Sequence, residues 1–202
     1  MFAVACIAFW CCCRLGELLI DVRFDPKMHV AHSMNIKWGI TSNGSKFINF
    51  SVPHTKTKVE GDTINMFDST CECSAINTFE HHLTSNTTIP INAPLFAFET
   101  TDKSWSPMRR SWFIDSCDEI WHEEGLSSVK GHGFQIGSTV HLLLLGVDPW
   151  IVMMQGRWSS QAFLGYWRKC EEILSLFIGS SFQSHDSILS TMSTFRNRLT
   201  GN

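Results

Sequence analysis

The sequence carries no strong charge of either sign: sixteen Lys and Arg stand against nineteen Asp and Glu, a formal net charge of −3. That excludes the global positive field with which a dedicated nucleic-acid-binding domain holds phosphates, so any contact with DNA must come from a local basic site. A bilayer-crossing helix is also missing, because the opening run Met1 to Cys13 is short of the roughly 20 apolar residues required. The run has no charged lead-in and meets Arg14 and Glu17 where a signal peptide would offer small residues for cleavage, so it reads as a helix buried on all sides. No membrane partner is expected. There is no internal repeat and no low-complexity stretch, and tyrosine occurs once, at Tyr166.

What is present is a globular composition. With 44% hydrophobic and 17% charged residues in 202, the chain can bury a full core, which argues against disorder. Three of the eight cysteines, Cys11, Cys12 and Cys13, are adjacent and cannot all pair without awkward geometry, so they read as small core residues in a reducing compartment. The tryptophans read mostly as core, and Glu123-Glu124 as a solvated helix end. A chain that opens inside a core helix with no capping residue leads to the expectation of further structure upstream of Met1.

The pattern along the chain predicts a mainly α protein with a small three-stranded antiparallel sheet, an α+β fold. A first helix is expected from Phe2 to about Ile20, where Asp21 to Pro26 break the apolar pattern. Strands are expected at His29 to Trp38, Lys46 to Val52 and Glu60 to Phe67, with Pro53 to Lys58 as the tip between the last two. Helices follow from Ser74 to Leu83, from a Ser106 cap with Pro107 at the first helical position to near Gly125, from Phe134 to Leu145, and from Asp148-Pro149 through Met154. Gly156-Arg157-Trp158 reads as a turn, and Ser159 or Ser160 as the cap of a last core helix. Residues 1–180 form the expected domain, and 181–202 an amphipathic helix or tail carrying Ile188, Leu189, Met192, Phe195 and Leu199.

Four separated motifs then stand in order: Arg14-Leu15-Gly16-Glu17, Thr55-Lys56-Thr57, His132-Gly133-Phe134-Gln135, and Gly156-Arg157-Trp158 followed by Tyr166. Each alone is weak, but their order on a helix, a hairpin tip and two later helices resembles the tyrosine recombinase (integrase) family. The stretch with Gly156 to Ser160 and Phe163 to Arg168 is most similar to the recombinases of Crypton-type mobile elements. The resemblance implies a recombinase catalytic-domain fold, a nuclear location, DNA as partner and no cofactor or metal. Tyr166 would attack a DNA phosphodiester and form a 3′-phosphotyrosine. Arg14 would grip the phosphate with its guanidinium fork, and Glu17 would orient Arg14. Lys56 would protonate the leaving 5′-oxygen, His132 would assist proton transfer, and Trp158 would donate its indole N–H to a non-bridging oxygen. Arg157, Lys58 and Arg168 would contact DNA, and the C-terminal helix would join protomers.

Two departures bear on the expected activity. Gln135 stands where the family closes a His-x-x-Arg motif with its second arginine, so one uncharged donor replaces a guanidinium. Losing an oxyanion donor costs on the order of 100- to 1000-fold in rate, which implies a degenerate, impaired enzyme or a non-catalytic remnant. Restoring arginine at 135 is then expected to raise covalent attachment to DNA. The family's N-terminal DNA-gripping domain is also not in this sequence. Elsewhere, Cys71-x-Cys73 with His81-His82 has a shorter ligand gap than paired zinc ligands use, so no metal site is expected. A metal-dependent hydrolase would need a carboxylate or histidine cluster that the sequence does not offer.

Overall fold

A computed structural model describes residues 1–34, 36–56, 58–69, 71–158 and 193. The described residues combine helices with a three-stranded antiparallel sheet, an α+β arrangement. The chain divides into two compact units, Met1–Gln135 and Ile136–Asn202. The boundary expected near residue 180 lies outside the described residues.

The first unit is built on the sheet β1 (Ile36–Ile40), β2 (Lys46–Val52) and β3 (Asp62–Phe67), ordered β1-β2-β3. Trp38 faces Ile48, Ile48 faces Met66 and Phe50 faces Ile64. Alternation does the rest: Ile48, Phe50 and Val52 on β2 and Ile64 and Met66 on β3 fall on one face, and all are buried. On that face lies α3 (Ala75–Ser85), whose Phe79 ring stacks on Phe50 at 5.7 Å. The Ser74 hydroxyl starts α3 by accepting the Asn77 amide. From α1 (Phe2–Trp10) come Val4, Ile7 and Ala8, and from α4 (Arg110–Glu123) Phe113 and Cys117, to complete one core.

Several expectations are corrected. The first helix is not continuous to Ile20, since α1 ends at Trp10 and a separate turn, α2 (Leu15–Leu18), follows. Between them the chain reverses through Cys12 at φ 49°, with the Cys13 amide bonded back to the Ala8 carbonyl at 3.0 Å. The three cysteines are fully buried, but in this turn. Nor is α1 buried on all sides, because Phe2 is exposed. Residues 29–34 stay out of the sheet: the His32 amide bonds the Ala93 carbonyl and Ala31 bridges Pro94, so this stretch pairs with the loop after α3.

Ser106 and Pro107 do not cap a helix. They belong to β5 (Trp105–Pro107), which pairs with β4 (Ala97–Glu99), and α4 begins only after Arg109. Hairpin pairing with Phe98 and Ala97 overrides a local cap signal, and proline is tolerated at the end of a two-stranded ribbon where no ladder N–H is needed. Trp38, Trp105 and Trp112 are exposed, exceptions to the expectation that the tryptophans are mostly core. Glu123 and Glu124 are exposed as expected.

A helix α5 (Gly133–Leu144) leads into the second unit, whose described part continues with α6 (Pro149–Gln155). Asp148 caps α6 as its spacing predicts, its carboxylate accepting the Trp150 amide at 2.8 Å with Pro149 at the first position. The helix expected after Ser159 and the C-terminal amphipathic segment lie outside the described residues, apart from Ser193.

Candidate functional site

Arg14 sits at the entrance of α2, the first residue after the buried cysteine turn. The Glu17 carboxylate reaches back to it twice, accepting the Arg14 backbone N–H at 3.1 Å and the Nη1 at 3.2 Å. Glu17 is buried, its side chain 4% exposed, and Arg14 retains 22%. The carboxylate is thus held by both the backbone and the side chain of Arg14, and the guanidinium is aimed by a partner that has little freedom itself. This is the arrangement that the spacing Arg-x-x-Glu predicts for one helical turn.

Lys56 rides on the connection from β2 to β3. Thr55 is buried and ties this loop: its amide and hydroxyl meet the Lys58 carbonyl at 3.0 and 3.3 Å, and its Oγ1 accepts the Lys58 amide at 3.0 Å. Gly61 closes it at φ +81°, where a Cβ would overlap the Val52 carbonyl oxygen. The two lysines diverge. Lys58 Nζ is drawn to Asp62 at 2.7 Å, whereas Lys56 is exposed and forms no ion pair among the described residues.

His132 is exposed on the turn that enters α5. Gly133 begins that helix where a Cβ would overlap the Val129 side chain, so a larger residue there would require Val129 to move. Arg14, Glu17, Lys56 and His132 line one cavity of about 680 Å³, a size within the range that ligand sites occupy. Residues from distant parts of the sequence, which the family resemblance groups together, therefore meet in space. The cavity also takes in Asp21, His29, His54, Arg110 and Asp115, none of which sequence reasoning singled out. Arg110 was hidden because the Ser-Pro signal placed it inside a helix rather than at its first residue; the Arg109-Arg110 pair was the signal available.

Gln135 is not among the residues that line the cavity. It is fully buried and its Nε2 donates to the Cys12 carbonyl at 3.1 Å, bracing the left-handed turn that precedes Arg14. A guanidinium introduced at 135 would enter a fully buried position, so the gain expected from Gln135→Arg gives way to an expected loss of stability.

In the second unit, Trp158 is buried with its ring against Gly156, where any Cβ would overlap the indole. Arg157 takes φ 57° and its Nη1 donates to the Gln155 carbonyl at 3.2 Å. The turn expected at 156–158 is present. Tyr166 and Arg168 lie outside the described residues. His82, weighed for zinc with Cys71 and Cys73, is buried with Nε2 3.0 Å from the Leu95 carbonyl, and among the described residues no group of three or more His, Cys, Asp or Glu is arranged to hold a metal ion. No described helix is long and apolar enough to cross a membrane. No protein-family model matches this chain, and no curated protein matches it.

Proposed function

We propose that this chain is a DNA strand-transferring domain of the tyrosine recombinase type, acting through a 3′-phosphotyrosine and impaired by Gln135. The observation that carries this reading is the shared cavity of Arg14, Glu17, Lys56 and His132. A phosphate seated there would meet the Arg14 fork, held in place by Glu17, while Lys56 stands ready on a braced loop. The Tyr166 phenolic oxygen attacks phosphorus, its proton passing to His132. The bond from phosphorus to the 5′-oxygen breaks, and Lys56 supplies that oxygen with a proton. The energy of the P–O bond is kept in the phosphotyrosine, so a 5′-hydroxyl can later reverse the step. By the same resemblance Trp158 donates to a non-bridging oxygen, Arg157, Lys58 and Arg168 touch DNA, and protomers associate through the C-terminal segment in the nucleus.

A second reading, a non-catalytic remnant that keeps the fold and a weak DNA or protein contact, is favoured by one observation: the Gln135 amide is engaged with the Cys12 carbonyl. A nicked suicide duplex that traps the covalent intermediate separates the two. At low salt, high DNA concentration and with EDTA present, the enzyme reading expects a faint adduct that disappears in Tyr166→Phe and in Lys56→Ala. No adduct above the Tyr166→Phe blank would leave the remnant reading standing.

A further inference from the structure

We infer that Arg110 supplies a second guanidinium to the phosphate in this cavity, the one that position 135 does not provide. The inference rests on the reading above and deepens it. Arg110 is the first residue of α4, and its place is fixed at both ends by consecutive residues. The backbone N–H donates to the Ile20 carbonyl at 3.0 Å, and the side-chain Nη2 forms an ion pair with the Asp21 carboxylate at 2.9 Å. Its other terminal nitrogen, Nη1, lies 3.8 Å from where a Cβ on Gly16 would stand, beside the turn that carries Arg14 and Glu17. Arg110 lines the same cavity as Arg14 and Lys56.

The chemistry fits a phosphate oxygen. A guanidinium has five N–H donors in a planar fork, and among the described residues only the Asp21 carboxylate engages it. That pair is wet, with side chains 49% and 46% exposed, so it is weak and a phosphate can share or displace it. Asp21 thus aims Arg110 without locking it, whereas the buried Glu17 holds Arg14 firmly. The neighbouring Arg109 carries the same charge and is exposed, yet does not line the cavity, which makes it a matched control.

The test measures binding of the full chain to a fluorescein-labelled 30-base-pair duplex of arbitrary sequence by anisotropy over a range of salt. Arg110→Ala is expected to weaken binding about tenfold and lower the slope of log affinity against log salt by about one, and Arg109→Ala to change affinity less than about twofold. Asp21→Asn, which releases the guanidinium, is expected to tighten binding about threefold. Equal effects of Arg110→Ala and Arg109→Ala, or weaker binding by Asp21→Asn, would overturn the inference. Arg14→Ala and Lys56→Ala separate it from the reading beneath: if they weaken binding and Arg110→Ala does not, only the inference fails. If neither weakens binding, the cavity does not hold phosphate and both fail.

Discussion

Replacing Gln135 by Met removes its hydrogen bond to Cys12 at the joint between core and cavity, and nearly preserves side-chain length and volume. The lost contact is Nε2 to the Cys12 carbonyl at 3.1 Å, made where both residues are fully buried. The bond contributes about 1 kcal/mol, rising toward about 2 kcal/mol because it is made in a fully buried place. For a chain of this size each kcal/mol moves Tm by roughly 2–4 °C, so Tm should fall by about 2–8 °C. The loss should also be local. Cys12 sits at φ 49° and the next amide, Cys13, is bonded to Ala8 at 3.0 Å, so amide exchange over residues 11–14 should speed up more than in Ile76→Val, which trims the same core elsewhere. Gln135→Arg should lose more stability than Gln135→Met, because a charge then occupies the buried position. An unchanged Tm in Gln135→Met, or exchange at 11–14 no faster than in the Ile76→Val control, would refute the idea that this amide braces the turn before Arg14.

Three further outcomes follow from the geometry. Gly61→Ala should destabilise the chain by about 1–3 kcal/mol, read from the urea midpoint, since its φ of +81° and the Val52 carbonyl both refuse a Cβ, and DNA attachment should drop with it as the Lys56 loop is displaced. Lys56→Ala should leave Tm unchanged and abolish the covalent adduct even at saturating DNA, whereas Lys58→Ala should cost up to about 1 kcal/mol through its half-exposed pair with Asp62 and lower the adduct only where DNA is below saturation. Stability should fall on acidification. Burial pushes His82 below the ordinary imidazole range against the smaller opposing pull of the Leu95 carbonyl, and burial does the same to His32. Both are therefore neutral in the fold where the unfolded chain takes up protons. Their contribution is complete above the ordinary value of about 6.5 and is lost as pH falls below it toward the folded values. Urea midpoints between pH 7.5 and 5.0 should show this, and His82→Leu should flatten the slope.

Where an element is decided by its own residues, the sequence by itself determined it. The alternation in Lys46–Val52 and Asp62–Phe67 shows which face is buried, because side chains two apart share a face whatever lies opposite. Ser74 and Asp148 start their helices by bonding amides two or three residues on, so their caps needed no distant partner. Arg14 and Glu17 are one turn apart, and their pairing was readable for the same reason. Tertiary structure decided the rest. The apolar run from Phe2 carries no break signal at Cys11–Cys13; the reversal there is braced by Gln135, far along the chain. Ser106-Pro107 looks like a helix start until Ala97–Glu99 offers it hydrogen bonds. Lys56 and Lys58 are alike as loop lysines, and only the position of Asp62 turns one aside and leaves the other to the cavity. Arg110 joins Arg14 because the Ile20 carbonyl and the Asp21 carboxylate hold the start of α4, a long-range contact that no local pattern encodes.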